Sequence, residues 1–199
     1  QGDMDLLSAF ADQAAIAIEN TRLYQALREQ ARRDSLTQVY NHGYFLECLH
    51  RFVAQGDTPL SMIMLDIDYF KEYNDRYGHV TGDLVLRAIV QAIRQNVHKE
   101  DVIGRWGGEE FGVLLPRSDE HAAQTVAGRI RHTLATMPLA DASGQAVLKP
   151  TVSQGIATYP YSAASGDDLV DKADAALYQA KGGGRDQICL ACHGKQNTA

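Results

Sequence analysis

The run Leu60–Ile67, L-S-M-I-M-L-D-I, is apolar at nearly every position. A strand with one wet face alternates apolar and polar residues, whereas a continuously apolar strand is covered on both faces. The run therefore predicts a central strand between two layers, which the rest of the chain must supply as helices. At its end it breaks into two carboxylates, Asp66 and Asp68, spaced two apart and so on one face. Hard divalent cations are held by oxygen ligands at such strand ends.

A second acidic stretch lies at residues 105–115, R-W-G-G-E-E-F-G-V-L-L. Phe111, Val113, Leu114 and Leu115 predict a short strand, and Gly107 and Gly108 a hairpin turn able to take φ > 0. Neighbours on a strand point to opposite faces, so Glu109 and Glu110 differ in role. If one faces a site, the other faces away or lies at the rim. Alone, the stretch reads first as a solvent-exposed hairpin with charged tips. Taken with Asp66 it reads as a site, where carboxylates from two segments could bind Mg²⁺ against the phosphates of a nucleotide.

The run G-G-E-E-F at residues 107–111 resembles the signature of the GGDEF family of diguanylate cyclases, in its G-G-E-E-F form. Four further stretches match that family in order. They are D-S-L-T at 34–37 with Tyr40 and Asn41, L-D-I-D-Y-F-K at 65–71, N-D-R-Y-G-H-V-T-G-D at 74–83, and A-L-Y-Q-A-K-G-G-G-R-D at 176–186. The resemblance covers about residues 31–190. It implies an α/β (α+β) sandwich with a ferredoxin-like core, akin to nucleotidyl cyclases and polymerase palms. The alternation of strands and helices independently predicts a mixed, mostly antiparallel sheet of about five strands with helices on both faces.

The implied activity is a nucleotidyltransferase one: condensation of two GTP into cyclic di-GMP with release of pyrophosphate. By family position, Asp66, the carbonyl of Ile67 and Glu109 hold metal, two Mg²⁺ per site with Mn²⁺ as a substitute. Glu109 helps deprotonate the 3′-hydroxyl, Glu110 supports it, and Asp68 is structural. Asn74 and Asp83 match the guanine-reading positions. A carboxylate accepts from guanine N1–H and N2–H₂, donors that adenine lacks, so GTP is selected over ATP. His79 lines the base or ribose site or, equally, stabilises a turn. Phe70 and the backbone after it crowd the phosphates. Lys71, Lys181 and Arg185 supply positive charge to them, beside the bare turn of Gly107 and Gly108. The family's inhibitory product site is R-x-x-D five residues before the double glycine. Here it reads His98, Lys99, Glu100, Asp101. The aspartate matches, but histidine lacks the bidentate fork of arginine, so product inhibition is expected to be weak or absent.

At 199 residues the chain allows one domain and an appendage. Its net charge of −6 disfavours a sequence-blind nucleic-acid binder. No apolar run approaches the ~20 residues of a membrane helix, and no secretory signal is visible. A start at Gln1 in place of Met is what a fragment of a longer protein would show.

Residues 1–33 predict one long helix. Leu7, Phe10, Ala14, Ala17, Thr21, Tyr24, Arg28 and Ala31 form an imperfect heptad seam. Its first part resembles the last helix of a GAF sensor domain, which implies a signalling helix that pairs two protomers. The expected organisation is thus helix 1–33, cyclase domain 34–190 and tail 191–199, working as a homodimer in the cytoplasm. Residues 74–83 predict a polar loop, and Gln154 is an unexplained polar residue on an apolar strand face. Cys189, Cys192 and His193 spell C-x-x-C-H, a c-type haem motif on paper. Haem attachment belongs to an exported compartment and GTP chemistry to the cytoplasm, so no haem is expected. Cys48 predicts an inert buried thiol. The rival reading is a non-catalytic module that binds GTP or cyclic di-GMP and signals by conformation.

Overall fold

A computed structural model of the chain describes residues 2–56 and 58–192, with side chains in the first helix described at 13, 16–24 and 27–31. His193 and the tail after it lie outside the described residues, as do the side chains of Leu7, Phe10 and Ala14. The chain divides into two compact units between Arg33 and Asp34.

The first unit is α1 (Gly2–Ala31). Along it Ile16, Ile18, Leu23, Tyr24 and Leu27 are exposed by more than half. The guanidinium of Arg28 lies 5.3 Å from the Tyr24 ring centroid. Glu29 pairs with Arg33 at 2.9 Å across one helical turn, an exposed pair of small net worth.

The second unit runs α2 (His42–Gln55), β1 (Leu60–Ile67), α3 (Phe70–Tyr77), α4 (His79–Arg94), β2 (Val102–Arg105), β3 (Glu110–Pro116), α5 (Glu120–Thr136), β4 (Val152–Tyr159), α6 (Gly166–Gly182) and β5 (Ile188–Leu190). The strands lie in the order β2-β3-β1-β4-β5. All pairs are antiparallel except β4 with β5. This is the expected mixed sheet with helices on both faces.

Every residue of β1 is buried, and the period of two sorts its side chains between two cores. Ile63, Leu65 and Ile67 join residues of α3, α4 and α5. Leu60, Met62 and Met64 join residues of α2 and α6. Phe45 of α2 seats over the sheet because Gly104 and Gly112, cross-strand partners, leave a hollow that any Cβ would fill. Side-chain caps start three helices: Asn41 accepts from Tyr44 N, Asp119 from Ala122 N and Ser165 from Asp168 N. Each is worth about 1 kcal/mol.

Two expectations are corrected. Residues 74–83 are no loop: they belong to α3 and α4, broken only at Gly78, whose φ of 80° suits glycine. Gly107 and Gly108 are not among the positive-φ residues. Instead the turn is tied from one side by Arg105, whose Nε reaches Gly107 O at 3.2 Å and whose Nη2 reaches Gly108 O at 2.6 Å.

Gln154 is fully buried on β4. Its Nε2 donates to Ala127 O at 3.1 Å, while Oε1 has no partner among the described residues. An orphaned acceptor costs more than one hydrogen bond returns. Gln154→Met, similar in volume, is expected to raise stability by about 1 kcal/mol, read as a higher denaturant midpoint at unchanged slope.

Candidate active site

The register of β1 against β3 sets Asp66 opposite Glu110. One residue before β3, Glu109 turns the other way, into a cleft of about 410 Å³. Phe70, Lys71, Asn74 and Asp75 of α3, His79, Asp83 and Leu86 of α4, and Arg105, Gly108 and Glu109 line it. The volume suits a small-molecule ligand of roughly 300–1,000 Å³ sites. The sequence had named most of this wall. Asp75, Leu86 and Arg105 were not foreseen; no motif reading singles out residues whose part is to close a wall.

Asn74 is held by the helix break. The bare Gly82 lets its carboxamide lie against the first turn of α4, where a Cβ would displace it. Its Oδ1 is buried and has no partner among the described residues. A buried unpaired acceptor beside Asp83 in a cleft fits a ligand that brings donors.

Asp66 and Ile67 end β1; Lys181 and Arg185 are near enough to Asp66 to act on its charge, and Asp66 in turn acts on Glu109 of the cleft. Asp66 is 7 % exposed, and Lys181 Nζ lies 2.8 Å from its Oδ2 and 4.0 Å from Glu110 Oε1. Burial raises the pKa of Asp66 above the ordinary carboxylate value, against the pull of Lys181. Burial, then Asp66, then Glu110 raise that of Glu109; burial and then Asp66 raise that of Glu110. Three crowded carboxylates with one ammonium between them have a surplus of negative charge. Among the described residues no group of three or more His, Cys, Asp or Glu side chains is arranged to hold a metal ion. The carboxylates of Asp66 and Glu109 and the carbonyl of Ile67 could supply only part of the oxygen shell of a hard divalent cation, the rest coming from a phosphate.

Asp68 is spent elsewhere. It accepts from Thr151 Oγ1 at 2.6 Å, Ser153 Oγ at 2.7 Å and Asp186 N at 3.0 Å. Gly107 faces Glu110, whose Oε2 would lie 2.9 Å from a Cβ there. Trp106 packs edge-on to His42 and Phe45, with centroids 4.3 and 5.9 Å away, so it belongs to the α2 interface. His98 and Asp101 sit apart, in the loop before β2. There the carboxylate of Asp101 accepts from the backbone N–H of His98 at 2.6 Å.

A five-stranded sheet in this order, flanked by helices and with acidic groups at one strand end, is the palm-like fold of nucleotidyl cyclases. The sequence matches the family "Diguanylate cyclase, GGDEF domain" over residues 31–187, and the chain belongs to that family. It is 34 % identical over 195 residues to diguanylate cyclase A of Treponema denticola, covering 95 % of this chain and 51 % of that protein. It is 36 % identical over 163 residues to the response regulator PleD of Caulobacter vibrioides, covering 80 % of this chain and 36 % of PleD. The chain thus spans about half or less of the length of these relatives. Among solved structures, the coiled coil and GGDEF domain of DgcB from Caulobacter crescentus, in complex with c-di-GMP, superposes with a TM-score of 0.86 at 32 % identity. It covers 94 % of this chain and 99 % of that one. Among the described residues no helix is long and apolar enough to cross a membrane.

Proposed function

We propose that the chain is a diguanylate cyclase that condenses two GTP into cyclic di-GMP and two pyrophosphates. Each 3′-hydroxyl attacks the α-phosphorus of the other nucleotide, so two domains must face each other. The observation that carries the reading is one cleft that brings together Asn74, Asp83 and Glu109, with Asn74 Oδ1 unpaired among the described residues.

In this reading Asn74 and Asp83 hold the guanine edge, with His79 beside the base or ribose and Phe70 closing the floor. Lys71, Lys181 and Arg185 bind the β- and γ-phosphates, and the turn at Gly107 and Gly108 brings backbone close to them without side chains in the way. Glu109, whose affinity for a proton is raised by burial and two neighbouring carboxylates, takes the proton from the 3′-hydroxyl. Glu110 keeps Lys181 in place. Asp66, the Ile67 carbonyl and Glu109 would hold Mg²⁺ or Mn²⁺, two ions per site. Bound there, the metal neutralises phosphate charge and acidifies the hydroxyl. In-line placement supplies the rest. The α1 helix, the end of a GAF-like sensor in this reading, pairs two protomers so that their clefts oppose.

Incubation with GTP and Mg²⁺ followed by mass analysis tests the proposal. Cyclic di-GMP in the wild type, lost in Glu109→Ala, is the expected result. GTP bound but unchanged would make the domain a binding module instead.

Product binding at the loop of His98 and Asp101 is expected to be weak, because histidine stands for the forked donor and Asp101 already serves the turn. Titration calorimetry with cyclic di-GMP checks this. Nanomolar binding abolished by His98→Ala would overturn it.

A further inference from the structure

Tyr69, the residue before α3, has φ 55° and ψ 35° and makes no side-chain capping bond. A left-handed backbone is unfavourable for a residue with a Cβ and persists where something else holds it. Burial is not the reason, since Tyr69 is 58 % exposed. Its ring instead meets Arg185. The guanidinium carbon lies 4.4 Å from the ring centroid, and Arg185 Nη1 donates to the tyrosine hydroxyl at 3.3 Å. Arg185 has a positive φ as well, 64°, and Asp186 follows at 43°. Two unfavourable backbones, 116 residues apart in sequence, are thus set facing each other.

Their neighbours are pinned. Buried Asp68 accepts the Asp186 N–H while it holds Thr151 and Ser153 of the β4 side. The Asp68 carboxylate thus ties the residue after Arg185 to the residue before Tyr69. A stack on an aromatic ring uses the face of a guanidinium, and the N–H groups other than the one on the tyrosine hydroxyl are left to bind an oxyanion.

We propose that Tyr69 is a positioning residue: its ring holds the Arg185 guanidinium ready for the terminal phosphates of GTP, and the left-handed backbone persists because it aims the ring there. The arginine then loses less side-chain freedom when the nucleotide binds. This rests on the reading of Arg185 as a phosphate ligand.

Three variants separate the two ideas. Glycine adopts the left-handed backbone without a Cβ clash, so Tyr69→Gly removes the ring and relieves the strain together. Tyr69→Phe keeps the ring, and Arg185→Ala removes what the ring holds. Binding is measured with 3′-deoxy-GTP, which lacks the attacking hydroxyl, and with GMP, which lacks the terminal phosphates. Tyr69→Gly is expected to melt no lower than wild type yet bind 3′-deoxy-GTP about three- to tenfold more weakly, with GMP affinity unchanged. Tyr69→Phe is expected to restore tight binding. In the Tyr69→Gly background, Arg185→Ala is expected to cost less than it does alone.

Full affinity in Tyr69→Gly beside weakened binding in Arg185→Ala would refute the positioning role and leave the phosphate role standing. Unchanged affinity in Arg185→Ala would refute the phosphate role itself and the inference with it. A lowered melting temperature with parallel loss of both ligands would make the ring merely structural, and the inference would fall.

Discussion

Glu109→Gln is expected to lower turnover of GTP by about two to three orders of magnitude while the domain stays folded. Its charge is held against opposition: burial, Asp66 and Glu110 all favour its protonated form. A carboxylate whose pKa is raised on folding costs stability at pH above that raised value, where it is charged, and ceases to cost it as pH falls toward the ordinary value. At neutral pH and without metal, the neutral glutamine removes this opposition. The melting temperature of the variant should therefore equal or exceed that of the wild type, which separates lost chemistry from lost structure. Added Mg²⁺ should raise the wild-type melting temperature by linkage, and raise that of the variant less. Asp66→Asn should also lose turnover, but it leaves Lys181 with Glu110 at 4.0 Å in place of Asp66 at 2.8 Å. It is expected to be the less stable of the two. Wild-type turnover in Glu109→Gln would show that the acidic turn is no part of the chemistry.

Removing residues 1–33 is expected to lower turnover by about a hundredfold or more at micromolar protein, with a rate that climbs as the square of protein concentration. In the proposed reaction the cyclic product needs two nucleotides on two domains, and a helix that paired them would raise the effective concentration of one domain at the other to roughly the millimolar range. The truncated chain keeps both apolar clusters of the sheet, whose members all lie beyond Arg33, so it should still fold. Ala17, Thr21, Tyr24 and Arg28 of the predicted seam are exposed along α1 and are the side chains such pairing would cover. Turnover per mole that is undiminished and independent of concentration would mean that α1 plays no part in assembly.

The part of the fold that depends on burial was legible in the sequence. A run of eight residues, too short for a typical helix and with no wet face, reads as a covered strand, and β1 divides its side chains between two cores accordingly. The segment at 74–83 was not legible, because its residues answer to another requirement. Asn74, His79, Gly82 and Asp83 line or shape the cleft, and a polar, glycine-marked string reads as loop even where it is helical. Contacts between distant side chains also escaped. The double glycine suggested a turn kept by φ > 0, whereas a side chain keeps it. That side chain, Arg105, is anchored in turn by Asp34, 71 residues away, and no periodicity reports such a partner. Gln154 remained visible as a misfit and is one: its Oε1 is buried without a partner among the described residues.

Arg105 is shared between two masters. Its Nη1 sits on both carboxylate oxygens of Asp34, at 3.0 and 3.1 Å, while Nε and Nη2 hold the carbonyls of Gly107 and Gly108. Asp34 is the first residue after the boundary with the helical unit and also grips Thr37 through N and Oγ1. A guanidinium is a rigid plane, so moving one edge moves the other. The first residue of the sheet unit and its acidic bend are therefore fastened to one flat plate, so losing the Asp34 carboxylate is expected to loosen the turn at Gly107 and Gly108.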